Sequence, residues 1–122
     1  MCIRDRHRTK QEHYFDFGPR WHCLKRLSIG MREGLAELEL DRGFSEDATT
    51  FGMHPALLDL ATGCALYLID GYLQSSDLYL PLAYKRLSVY SRIPSKLWSH
   101  IRSRQENSVR RDVAVFDITR CV

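Results

Sequence analysis

Between residues 53 and 70 the chain is apolar at nearly every step: Leu57, Leu58, Leu60, Ala61, Cys64, Ala65, Leu66, Leu68 and Ile69 leave almost no polar face. That density predicts one helix enclosed on most sides. Pro55 suits the first helical position, His54 precedes it, and Asp70-Gly71 supplies a stop. Elsewhere the period is closer to two. Leu27, Ile29 and Met31, then Leu35, Leu38 and Leu40, alternate with interruptions at Gly30 and Gly34, which predicts two short strands or one bent strand. Residues 78–90 are rich in β-friendly side chains, with Pro81 marking a strand start or an edge. Residues 97–102 alternate cleanly, and residues 109–118, with Val113, Val115 and Phe116, predict a further strand.

Ahead of these, Gly18-Pro19 is a turn signal, and a short helical piece over residues 19–24 can follow it. Residues 1–12 have no periodicity and read as a loose leader or as sequence foreign to the domain, so that the domain itself spans residues 13–122. Strands joined by short turns pair antiparallel. The sum is an α+β layout, a single long helix against an antiparallel sheet.

Composition narrows the class without changing this picture. With 122 residues, 44% of them apolar, the chain has room for one domain with one core. No run is long enough to span a bilayer and no secretory leader opens the chain, which predicts a cytoplasmic address and no membrane partner. Cys2, Cys23, Cys64 and Cys121 show neither a zinc spacing nor a disulfide frame. The net charge of +3 is concentrated late, where Arg92, Lys96, Arg102, Arg104, Arg110, Arg111 and Arg120 outnumber Glu106, Asp112 and Asp117. Such a surface could meet an acidic protein or a phosphate, although on residues alone solvated strand faces explain it better. Nucleic acid is disfavoured, because the basic residues are not interleaved with aromatics in a recognisable pattern.

Asp59 is the anomaly. A carboxylate on the first turn of a nearly all-apolar helix serves either the helix dipole or chemistry. His54 has no second ligand three or four residues away, so it reads as a cap and not as a metal site. Tyr14, Phe17, Trp21, Tyr84 and Trp98 read as core aromatics.

Three segments nevertheless form a set: Phe17-Gly18-Pro19-Arg20-Trp21, then His54-Pro55-Ala56-Leu57-Leu58-Asp59, then Leu80-Pro81 within residues 80–87. In this order they resemble the Y-G-P-x-F, H-P-A-L-L-D and L-P segments of the second half of the dehydratase domain of modular polyketide synthases. The resemblance implies a hotdog fold, an antiparallel sheet wrapped around one central helix, here as part of a double hotdog truncated at both ends. It implies elimination of water from a 3-hydroxyacyl chain on an acyl carrier protein. In the resembled family a histidine of the first hotdog takes the α-proton and the aspartate of H-P-A-L-L-D assists the departing hydroxyl, which makes Asp59 the acid. Phe17, Gly18, Pro19, His54, Pro55, Thr62, Gly63, Leu80 and Pro81 would line the substrate. No metal or cofactor is implied beyond the carrier's phosphopantetheine. The implied partners are the carrier, the N-terminal hotdog and other synthase domains, with a homodimer formed through the synthase.

The chain departs from the family at named places. No histidine begins the H-x-x-x-G-x-x-x-x-P motif that carries the base, so this chain alone is not expected to turn over substrate. Gly63 stands where the family usually has a glutamine or histidine bonded to the aspartate, leaving Thr62 to substitute with different geometry. Phe17 replaces the tyrosine. Asp117-Ile118-Thr119-Arg120 reads as the approach to a D-x-x-G turn. A catalytically degenerate scaffold or acyl-binding half is therefore the alternative to the enzyme, and an isomerase or cyclase on the same hotdog is a third reading.

Overall fold

The computed structural model describes residues 2–4, 9–104 and 112–121. Five strands, β1 (Cys2–Arg4), β2 (Leu24–Ile29), β3 (Glu33–Glu39), β4 (Lys96–Ser103) and β5 (Phe116–Cys121), form one sheet in the order β1-β2-β3-β4-β5 with every neighbouring pair antiparallel. Between β3 and β4 the chain leaves the sheet to build a helical layer: the single turn α1 (Asp47–Thr50), the central helix α2 (Pro55–Gly63), and a 3-10 extension, Cys64–Leu68.

Period two explains which side of the sheet receives the helix. Leu97, Ser99 and Ile101 of β4 are fully buried, and β3 pairs Leu38, Ala36 and Gly34 with them across the ladder. Ala56, Leu57, Leu60, Ala61, Cys64 and Ala65 close the core from the helical layer. Ser99 is polar in this apolar seam because its hydroxyl donates to the Ala61 carbonyl of the helix at 2.9 Å, which satisfies both groups.

Gly34 is explained by the same packing. A Cβ there would lie 2.9 Å from Cδ1 of Ile29 and 3.2 Å from Cδ1 of Ile101. The glycine that interrupts the apolar alternation is thus a core position with no room for a side chain. Residues 27–40 accordingly form the β2–β3 hairpin, the two-strand form of the expectation, closed by Gly30, Met31 and a left-handed Arg32.

Four expectations need correction. The single helix over residues 53–70 is α-helical only to Gly63 and narrows to 3-10 geometry beyond it. The Thr62 hydroxyl donates back to the carbonyls of Leu58 and Asp59, at 3.1 and 2.9 Å, and a glycine of weak helix propensity follows. Gly71, with φ of 75°, then turns the chain at the expected stop. Residues 78–90 carry no strand: Leu82 is 85% and Tyr90 96% exposed. β-friendly side chains do not make a strand unless a neighbouring strand pairs with them. The last strand begins at Phe116 and runs to Cys121, so Asp117 to Arg120 are ladder residues and not a turn. Val109 lies outside the described residues. Finally, in the leader expected to be loose, Cys2–Arg4 pairs with β2 and Lys10–His13 forms a 3-10 turn, with the Lys10 amide on the Tyr67 hydroxyl at 3.1 Å.

Replacing Gly34 by valine should lower unfolding stability by about 1–3 kcal/mol through overpacking, whereas Arg32→Gly, which relieves a left-handed residue, should not destabilise. Urea unfolding of the two variants measures both effects, and equal stability of Gly34→Val and the parent would contradict the packing.

Candidate functional site

The site is built on the outward face of α2. At about 100° per residue, Leu57 and Ala61 each lie roughly 160° from Asp59 around the helix. Burial of those two against the sheet therefore turns Asp59 away from it. Asp59 is the fifth residue of the helix, beyond the first turn on which the sequence reading placed it. A dipole role weakens accordingly, since that effect fades within the first turn.

What meets Asp59 instead is Trp21, whose indole Nε1 donates to carboxylate Oδ2 at 2.8 Å. The donor comes from the Gly18-Pro19 turn. Gly18 precedes and Pro19 opens the 3-10 segment Pro19–Trp21, and the Trp21 amide closes onto the Gly18 carbonyl at 3.0 Å. Phe17 stacks on the indole, with ring centroids 6.1 Å apart and planes 13° from parallel. From the sequence alone Trp21 reads as a core aromatic only. Its appearance inside the F-G-P-R-W segment was the available signal, but nothing local reveals a partner 38 residues away.

The helix start is a second cluster. His54 is 3% exposed and caps α2, its Nδ1 accepting the Ala56 amide at 3.1 Å. With Nδ1 an acceptor, Nε2 carries the proton and donates to Asp47 Oδ2 at 3.1 Å. Arg20 also reaches Asp47, at 2.7 Å, and its hydrogen bond, ahead of the one from His54, holds the Asp47 carboxyl below the usual carboxylate range. Both ring nitrogens of His54 are thus committed to structure, in keeping with a cap. Pro55 occupies the first helical position and is exposed.

The remaining predicted site residues separate. Thr62 spends its hydroxyl on backbone carbonyls and does not substitute as a partner for the Asp59 carboxylate. Gly63 offers no side chain, and a Cβ on it would come within 3.3 Å of Gln11 Oε1. Leu80 is 66% exposed and, with Pro81, stays on the unpaired segment after the helix. A groove of about 640 Å³ opens between residues 84–94 and β5, with Thr62 at its wall. Arg86, Arg92 and Arg120 line it. Burial lowers the pKa of Arg120, whose Nη1 lies 3.2 Å from Met53 Sδ.

The two buried thiols are poor candidates for chemistry. Burial pushes the Cys23 thiol up to about 11 and the Cys64 thiol up to about 12, so neither is a nucleophile near neutral pH. His100 pairs with Glu33 at 3.1 Å. Among the described residues no cluster of His, Cys, Asp and Glu is arranged to hold a metal ion, and no helix is long and apolar enough to cross a membrane.

A family model described as the polyketide synthase dehydratase N-terminal domain matches residues 3–122. The chain is 34% identical over 99 residues to polyketide synthase PksN of Bacillus subtilis, and 27% identical over 110 residues to PksM of the same organism. These matches cover 79% and 87% of this chain but only 2% and 3% of those synthases. A solved structure described as giving insights into dehydratase substrate selection for the borrelidin and fluvirucin polyketide synthases superimposes with a TM-score of 0.67 at 26% identity, over 89% of this chain and 39% of that one. The α+β hotdog expectation is met by these neighbours and by the sheet and helix described above.

The Arg20–Asp47–His54 cluster makes a pH prediction. Because the folded-state pKa of Asp47 is lowered, its contribution is present above the unfolded carboxylate value of roughly 4 and is lost as pH falls through the lower folded value. Asp47→Asn should therefore be less stable than the parent at neutral pH, with the gap closing in acid. Urea midpoints over a pH series test this, and a pH-independent gap would contradict it.

Proposed function

Since the chain belongs to the polyketide synthase dehydratase family, we propose that it is the second hotdog of such a domain and supplies Asp59 as the acid in removing water from a 3-hydroxyacyl thioester. The observation that carries this reading is the placement of Asp59. It is a half-buried carboxylate on the outward face of the central helix, bonded to a neutral donor and to no cation among the described residues. A carboxyl so placed keeps one oxygen on the indole and can present the other to a substrate hydroxyl.

Assignment to the second half rests on the His54-Pro55-Ala56-Leu57-Leu58-Asp59 segment, whereas the matching family description names the N-terminal domain. The match to about two-fifths of a solved dehydratase chain suits one half of a domain. In the proposed reaction a histidine outside this chain removes the α-proton. The electron pair left on the α-carbon forms the double bond, the bond from the β-carbon to oxygen breaks, and Asp59 gives its proton so that hydroxyl leaves as water. No step needs a cofactor beyond the phosphopantetheine that would carry the acyl chain. A carrier protein is the proposed partner, and the three arginines of the groove beside Thr62 suit its acidic surface.

A non-catalytic scaffold is the second reading, favoured by Gly63 and by the commitment of Thr62 to backbone. In the full-length synthase that carries this chain, Asp59→Asn should abolish enoyl formation from a 3-hydroxyacyl thioester while leaving the melting transition intact. Unchanged turnover would favour the scaffold.

A further inference from the structure

We infer that Trp21 is the positioning residue for the Asp59 carboxyl, standing in for the partner that the resembled family carries four residues after its aspartate; this rests on the acid role proposed for Asp59. Three observations converge on it. The two helix residues one turn on are excluded, because Thr62 donates its hydroxyl to the Leu58 and Asp59 carbonyls and Gly63 has no side chain. Space beside Gly63 is taken from another segment, with Gln11 Oε1 3.3 Å from where a Cβ would sit. Trp21 Nε1, 2.8 Å from Oδ2, is then the side-chain donor on the carboxylate among the described residues.

An indole N–H donates and never accepts, so the contact has one sense in both protonation states of Asp59. With Oδ2 occupied as an acceptor, the proton of the neutral acid is placed on Oδ1. When Oδ1 passes that proton to the departing hydroxyl, the carboxylate left behind keeps the indole hydrogen bond, which strengthens as charge develops. Stacking on Phe17 and the Gly18-Pro19 turn fix the ring plane that aims Nε1. This also gives Phe17 a role without the tyrosine hydroxyl: it braces the donor.

Trp21→Phe keeps an aromatic ring against Phe17 and removes only the donor. In the full-length synthase, kcat for enoyl formation should fall roughly ten- to a hundredfold, the worth of a hydrogen bond to a charged group, with KM little changed. In the 122-residue chain itself, the Trp21 Nε1–H proton resonance should move upfield in Asp59→Asn while that of Trp98 stays in place. An unmoved Trp21 resonance, or an unchanged kcat in Trp21→Phe, overturns the inference. Asp59→Asn separates the two levels: if it leaves turnover intact the acid role fails, whereas if it abolishes turnover and Trp21→Phe does not lower kcat, only the positioning role fails.

Discussion

The closeness of α2 to the sheet is the constraint from which the rest follows. Small residues meet across it, Ala56, Ala61, Cys64 and Ala65 from the helical layer and Ala36 and Ser99 from the strands, all essentially without solvent exposure. The Ser99 hydroxyl on the Ala61 carbonyl ties helix to strand within that layer. Larger side chains would hold the helix off and permit it to roll. With the small face pressed inward, the helix has one rotational setting, and that setting turns Asp59 outward.

An outward carboxylate on an otherwise apolar helix needs a partner or water. The chain provides one from a distant turn, where Gly18, Pro19 and Phe17 present the Trp21 indole. The same helix is secured at its start by His54, with both ring nitrogens bonded, and by the Arg20–Asp47 pair beyond it. Arg20 and Trp21 are adjacent in sequence yet serve different clusters, one at the cap and one at the carboxylate. The Pro19–Trp21 segment therefore links the stability of the helix start to the geometry of the candidate acid.

Along the groove by β5, three arginines gather positive charge near Thr62. The segment over residues 78–90 runs exposed there, with Leu80, Leu82 and Tyr90 open to solvent. Its residues are those of a strand, and β5 presents an edge next to it, but no ladder joins the two. Apolar side chains in this state bury little, so this part of the chain contributes little to holding the core together.

The local code was legible in the sequence because its physics is local. Proline at the first helical position, a histidine cap, the alternation of Leu97, Ser99 and Ile101, and the turn at Gly71 each depend on residues within a few positions. The α+β layout followed from those elements, and the ordered segments around Phe17, His54 and Leu80 carried the family resemblance. Tertiary structure alone decided the others. Gly34 looked like a strand breaker until Ile29 and Ile101 were seen to fill its space, and Thr62 looked like a substitute partner until its hydroxyl was seen on the backbone. Residues 78–90 had the composition of a strand but lacked a pairing neighbour. Asp59 was recognisable as the residue to explain, yet its donor lies 38 positions away on a turn that the helix meets only after packing on the sheet. Periodicity records which face of an element is apolar, but not which distant side chain arrives at the polar position left outside.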